Sequence, residues 1–194
     1  YITVREFDQA VADLERAATL TAGAPDQIEP DGQPNARNIP LTTLQSNIRY
    51  HLALAYYLKG DFARAAVVWG QARDAVKNPD NLVSTTHWLY LTLRRLGRDA
   101  DAARALEAVT PGLEVIENGS YHRALLWMKG ELAESALLPA AASTLERQTI
   151  GNGIGQWHAA NGRRDAARTA WQAVLSTGPS ASFGFIAAEE GMKR

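Results

Sequence analysis

Four glycines constrain this chain more than any other feature. Gly60, Gly97, Gly130 and Gly162 each follow an apolar helical stretch and precede a charged or alanine-rich one, at spacings of 37, 33 and 32 residues. A period near 34 implies a stack of similar small units, because one such unit cannot bury its apolar face alone. Five residues after each glycine stand the small side chains Ala65, Ala102, Ser135 and Ala167, and nine residues after three of them stand Trp69, Leu106 and Trp171. Eight residues before the turns come Leu52, Leu89, His122 and Ile154. A small residue at a fixed offset lets two helices approach closely, while a large one fills the gap to the next pair. The expectation is an all-α chain of helical hairpins.

The same register reaches the N-terminus if Arg5 stands at the turn, since Phe7, Ala10, Leu14 and Ala17 then fall at second-helix positions. The chain is thus expected to begin inside a repeat, with 1–20 a partial unit. From Arg5 to Gly60 is one period plus 21 residues, which requires an insertion. Residues 21–41 supply it: four prolines, Gly23 and Gly32, and no apolar periodicity. Repeats are expected at 42–78, 79–112, 113–142 and 143–178, with a capping helix in 179–194 covering the apolar face of the last one. Helices are read near 3–20, 42–58, 61–76, 80–96, 99–109, 120–129, 131–138, 143–160, 164–176 and 180–190. Thr42 with Gln45, and Ser143 with Glu146, have the spacing of capping boxes. Pro139 should end the 131–138 helix. The β-like run Leu113 to Ile116 lies between Pro111-Gly112 and Asn118-Gly119 and reads as a packed loop.

Leu52, Ala53, Tyr56, Gly60, Phe62, Ala65, Trp69 and Ala72 together resemble the tetratricopeptide repeat, and Ile154, Gly155, Gly162, Ala167, Trp171 and Pro179 are similar. The chain looks like a bacterial member of that family. The resemblance implies a right-handed α-solenoid whose first helices line a concave groove. It implies ligand contacts at Asn47, Tyr50 and Tyr57 in the clearest repeat. The next repeats would add His87, Arg94 and Arg95, then Trp127, then Asn152 and Gln156. Amides there would suit backbone groups and rings would suit apolar anchors of an extended peptide or a helix. The rings would serve equally to pack neighbouring first helices. The family's carboxylate clamp for chaperone tails is not matched, because Tyr50, His87, Leu54 and Leu91 occupy its positions.

Chemistry is limited by what is missing. With no cysteine there is no thiol catalysis, cysteine-bound zinc or disulfide, and 20 basic against 21 acidic residues advertise no nucleic-acid or membrane field. The four histidines, His51, His87, His122 and His158, fall at different motif positions and so on different helix faces, which disfavours a shared metal site; His122, in place of Leu, should be buried. Gly151-Asn152-Gly153-Ile154-Gly155 lacks the preceding strand of a phosphate loop, so Gly155 reads as packing, and Gly151 and Gly153 as close approach by a neighbouring helix or a ligand. No nucleophile and base share a spacing, so no enzyme is expected, nor any cofactor.

The expected function is a non-catalytic scaffold for a protein or peptide partner, without membrane insertion. The alternative is a small-molecule or anion-binding module around Arg94, Arg95 and His87 with its pocket closed by the 21–40 insertion, which reads equally as a lid bonding helix ends through Asn35, Arg37 or Asn38 and as a mobile surface loop. Self-association is left open, as is a cytoplasmic or periplasmic location.

Overall fold

A computed structural model describes residues 1–29 and 35–194, and every helix or strand element among them is helical. Pro30, Asp31 and Gly32, a sequence well suited to a turn, lie outside the described residues. A short 3-10 turn (Ile2–Val4) leads into α1 (Phe7–Leu20), and after the insertion come α2 (Leu44–Lys59), α3 (Phe62–Asp74), α4 (Pro79–Arg95) and α5 (Asp99–Ala105). Then follow α6 (Gly119–Lys129), α7 (Thr144–Ala160), α8 (Arg164–Leu175) and α9 (Phe183–Lys193).

The glycine period is a period of turns. Gly60 ends α2 at φ 90°, in the left-handed region where a Cβ is costly, and its N–H returns to the carbonyls of the last helical turn. Gly97, Gly130 and Gly162 hold the same backbone sign. Arg5 holds it too, at φ 65°, so the first turn of the series is made by a residue that has a Cβ. After the turns the small positions do what their spacing implies: Ala65, Ala102 and Ala167 are buried between paired helices, and Trp69, Leu106 and Trp171 are buried behind them.

The segment 113–142 departs from the pattern. It supplies α6, but where a helix over 131–138 is expected there is only a 3-10 turn, Glu134–Ala136, and Ser135 is exposed. Pro139 cannot continue a helix, and Leu137 alone is buried, its carbonyl accepting a bond from Arg123 Nε at 3.0 Å. The helix restarts at Ser143, whose hydroxyl accepts the Glu146 N–H while the Glu146 carboxylate accepts the Ser143 N–H, completing the expected capping box. On α2 the cap is Thr43 with Ser46, one residue later than Thr42 and Gln45.

The glycine run in α7 is packing throughout. A Cβ on Gly151 would come within 2.6 Å of Val174 of α8, one on Gly155 would enter the Trp171 ring, and one on Gly153 would reach His87 Cε1 at 3.0 Å. Alternate glycines therefore seat α8 on one face and α4 on the other.

α9 goes beyond the expected cap. It packs on α7 and α8 and also reaches α2, so that α2, α4, α7 and α9 form a closed circuit of touching helices. Gly184 permits it, since a Cβ there would stand 2.6 Å from the Gln148 carbonyl of α7. At its start Phe183 lies edge-on to His51 at 5.7 Å, and at its end the Arg194 guanidinium donates to the Leu58 carbonyl and stacks on Phe62 at 5.4 Å. Between them Glu189 accepts two bonds from Arg5, at 2.9 and 2.6 Å. Ile186 and Ala187 enter the same core as α2 and α4.

Candidate ligand cleft

The residues nominated for a groove do not form one. Tyr57, His87, Asn152 and Gln156 are 0–1% exposed, enclosed by the circuit that α9 completes. Gln156 Nε2 bonds the Asn152 side chain at 3.3 Å and the Ala187 carbonyl of α9 at 3.4 Å. The His87 nitrogens, the Tyr57 hydroxyl, Asn152 Nδ2 and Gln156 Oε1 have no hydrogen-bond partner among the described residues. Burial pushes the Tyr57 phenol up to about 12 and the His87 imidazole down to about 3. His122, expected to be buried, is half-exposed and bonds the Thr110 carbonyl at 2.9 Å.

Arg94 and Arg95 lie at the other end of α4, thirteen residues and about 20 Å along the axis from Asn81. Arg94 pairs with Asp99 at 2.8 Å and bonds Asn161 at 2.9 Å; Arg95 stacks over Phe62 at 5.4 Å. Trp127 packs on Trp157 with ring centres 4.7 Å apart. Of the nine nominated residues, only Asn47 and Tyr50 face the open hollow described next.

That hollow lies where α2, α4, α6 and α9 begin. One part, about 170 Å³, is lined by Asn47, Arg49, Tyr50 and His51 of α2, by Ala72, Ala75 and Val76 at the end of α3, and by Asn81, Ser84 and Thr85 of α4. A second part, about 350 Å³, is lined by Glu117, Ser120 and Tyr121 around the start of α6, Glu146 and Thr149 of α7, and Ser182 before α9. Tyr50, Asn118 and Phe183 border both. The Tyr50 hydroxyl accepts the Trp88 Nε1–H at 2.9 Å, and burial, with Tyr121 beside it, raises its pKa well above 10. The Tyr121 phenol is raised by burial as well.

Two carboxylates build the rim. Asp80, buried in the first turn of α4, accepts the backbone N–H groups of Ile116, Glu117 and Asn118 at 2.9, 2.7 and 2.8 Å, which fixes the 113–118 loop and the start of α6 over the cleft. Asp26 of the insertion accepts the Gln45 N–H at 3.0 Å and the Thr43 hydroxyl at 2.7 Å. The Leu41 carbonyl accepts amide bonds from Asn78 and Asn81, each at 2.8 Å. The insertion's flanks thereby wall an adjoining hollow of about 440 Å³ that shares Arg49 and Asn81 with the first. Of the insertion residues expected to bond helix ends, Asn35 bonds within its own loop, to Arg37 and Ile39, and Arg37 pairs with Glu114 at 3.3 Å. Asn38 makes a left-handed turn at φ 51°.

Arg49, Asn81, Glu117, Tyr121 and Phe183 escaped the sequence reading, because none of them falls at a position where the repeat motif implies a ligand contact. Only Asp80 carried a signal, in the helix-opening Asn78-Pro79-Asp80. Among the described residues no three His, Asp or Glu are grouped to hold a metal, and no helix is long and apolar enough to cross a membrane. No family model, curated protein or solved structure matches the chain.

Proposed function

We propose that the protein is a right-handed α-solenoid of tetratricopeptide-like hairpins acting as a non-catalytic binding module, whose ligand enters the cleft at the helix starts. The alternation of first and second helices about left-handed turns supports the architecture. One observation carries the function: α9 already occupies the face along which such a solenoid would hold a long peptide, leaving the cleft as the open concavity beside it. Its lining mixes aromatic rings with amides and hydroxyls, as small-ligand sites do. A short peptide or a small molecule fits there; a folded partner does not.

Ala75 is exposed at the rim, so Ala75→Trp fills the mouth without touching the core. Native mass spectrometry of protein isolated from its own cells is expected to show a small adduct on the wild type that is absent from Ala75→Trp at equal thermal stability. An adduct retained by the variant, or absent from both, overturns the proposal.

A further inference from the structure

We infer that the cleft takes a small zwitterion, a dipeptide with an apolar side chain, its carboxylate toward Arg49 and its ammonium toward Glu117. This rests on the cleft being the binding site. The charges lining the two parts are of opposite sign. In the α2–α4 part the fixed charge is Arg49, whose Nη2 donates to Gln45 at 3.1 Å and which pairs with no carboxylate among the described residues. In the α6–α7 part the charges are Glu117 and Glu146, and Glu146 is already held by Arg123 at 2.7 Å. Glu117 pairs with no cation among the described residues, although its own backbone N–H is fixed by Asp80 at 2.7 Å. A guanidinium and a carboxylate thus line opposite ends of one cleft, neither paired with a counter-ion among the described residues.

Between them the waist is apolar. Tyr50 and Phe183 face each other with ring centres 6.3 Å apart, and Val76 adds an aliphatic wall. A ligand with both charges and an apolar side chain matches all three features, and hydrogen bonds to charged groups are the strong ones. Parts of about 170 and 350 Å³ lie at or below the low end of ordinary ligand pockets, which limits the occupant to dipeptide size.

The test is calorimetric titration at low ionic strength with Ala-Phe, N-acetyl-Ala-Phe and Ala-Phe amide, on wild type, Arg49→Gln and Glu117→Gln. The expected result is that either block weakens binding to wild type at least tenfold. Arg49→Gln should abolish the preference for a free carboxylate and keep that for a free amine, and Glu117→Gln the reverse. Blocked and free forms within twofold on wild type, or no binding of any of the three, overturns the inference. If Ala75→Trp still removes the cellular adduct in that event, the cleft remains the site and only the zwitterion falls; if it does not, the site itself falls.

Discussion

Tyr57 shows how closure of the helix circuit alters the meaning of a side chain. On an open face it would be a contact residue, whereas here its ring is packed edge-on between Phe62 at 5.3 Å and Trp88 at 5.1 Å, and its hydroxyl is buried without a partner among the described residues. Tyr57→Ala should therefore cost about 3–5 kcal/mol in urea unfolding, as large aromatic truncations do. Tyr57→Phe, which removes only the orphan hydroxyl, should be neutral or stabilising by up to about 1 kcal/mol. Equal losses from both would show that the hydroxyl has a partner. His87 makes a second case, through pH. Burial holds its imidazole at about 3, against about 6.5 in an unfolded chain. Between those values the unfolded state binds the extra proton, so stability is full above about pH 6.5 and is lost as pH falls, by about 1.4 kcal/mol per unit. The carboxylates of Asp61 and Glu146, held down chiefly by the backbone N–H groups of Arg64 and Ser143, act only below their ordinary range near 4. Urea midpoints between pH 6.5 and 4.5 thus report the histidines. His87→Met should flatten that slope to the residue left by His158, which partial burial also lowers; an unchanged slope would sink the assignment.

At the scale of elements, the turn after the first 3-10 segment isolates a backbone cost. Arg5 adopts a left-handed φ that costs a non-glycine residue about 1 kcal/mol, and its guanidinium joins α9 through Glu189, both side chains being partly exposed. Arg5→Gly should relieve the first while losing the second, leaving stability near that of the wild type. Arg5→Ala, which loses the ion pair and keeps the strain, should melt below Arg5→Gly by the equivalent of about 1 kcal/mol. The ordering Ala above Gly would contradict the strain. That Arg5 stands at a turn was legible in the sequence, because the offsets of Ala10 and Leu14 placed it there. The turn glycines and the small positions at Ala65, Ala102 and Ala167 were legible for the same reason: each is dictated by its own hairpin. The 131–138 helix was misread, although Pro139 sits at its end, since the pattern of a neighbouring repeat was extended where too few apolar residues support it. Asn47 and Tyr50 were the legible part of the cleft. Arg49, Glu117 and Phe183 meet only through tertiary placement of three helix starts, and no local pattern encodes that meeting. The destination of α9 was hidden likewise, for nothing local marks Gly184 and Gly191 as the places where Gln148 and Trp171 come against the helix.

For the whole molecule, closure predicts how it opens. In a linear stack each unit touches only its neighbours, so the terminal units fray first and independently. Here the first and last units are joined through α9, by Phe183 on His51, Glu189 on Arg5 and Arg194 on the Leu58 carbonyl. α2 and α7 should therefore share one opening free energy in native-state amide exchange. Removing two of the ties, Phe183→Ala with Arg194→Ala, deletes the aromatic contact and the carbonyl bond but spares Phe185 and Ala188, which pack with Ala159 of α7 and with Trp171 and Val174 of α8. In that variant α1 and α2 should exchange faster than α7 and α8, by at least tenfold at the most protected amides, while the C-terminal hairpin stays near its original rate. If the two ends already exchange at different rates in the wild type, the circuit does not act as one cooperative unit. Uniform acceleration in the variant would instead place the weak point between α7 and α9. Because Phe183 also borders both parts of the cleft, the same variant connects closure to binding: a ligand seated against Tyr50 and Phe183 should slow exchange in α2 of the wild type and leave the opened variant unaffected.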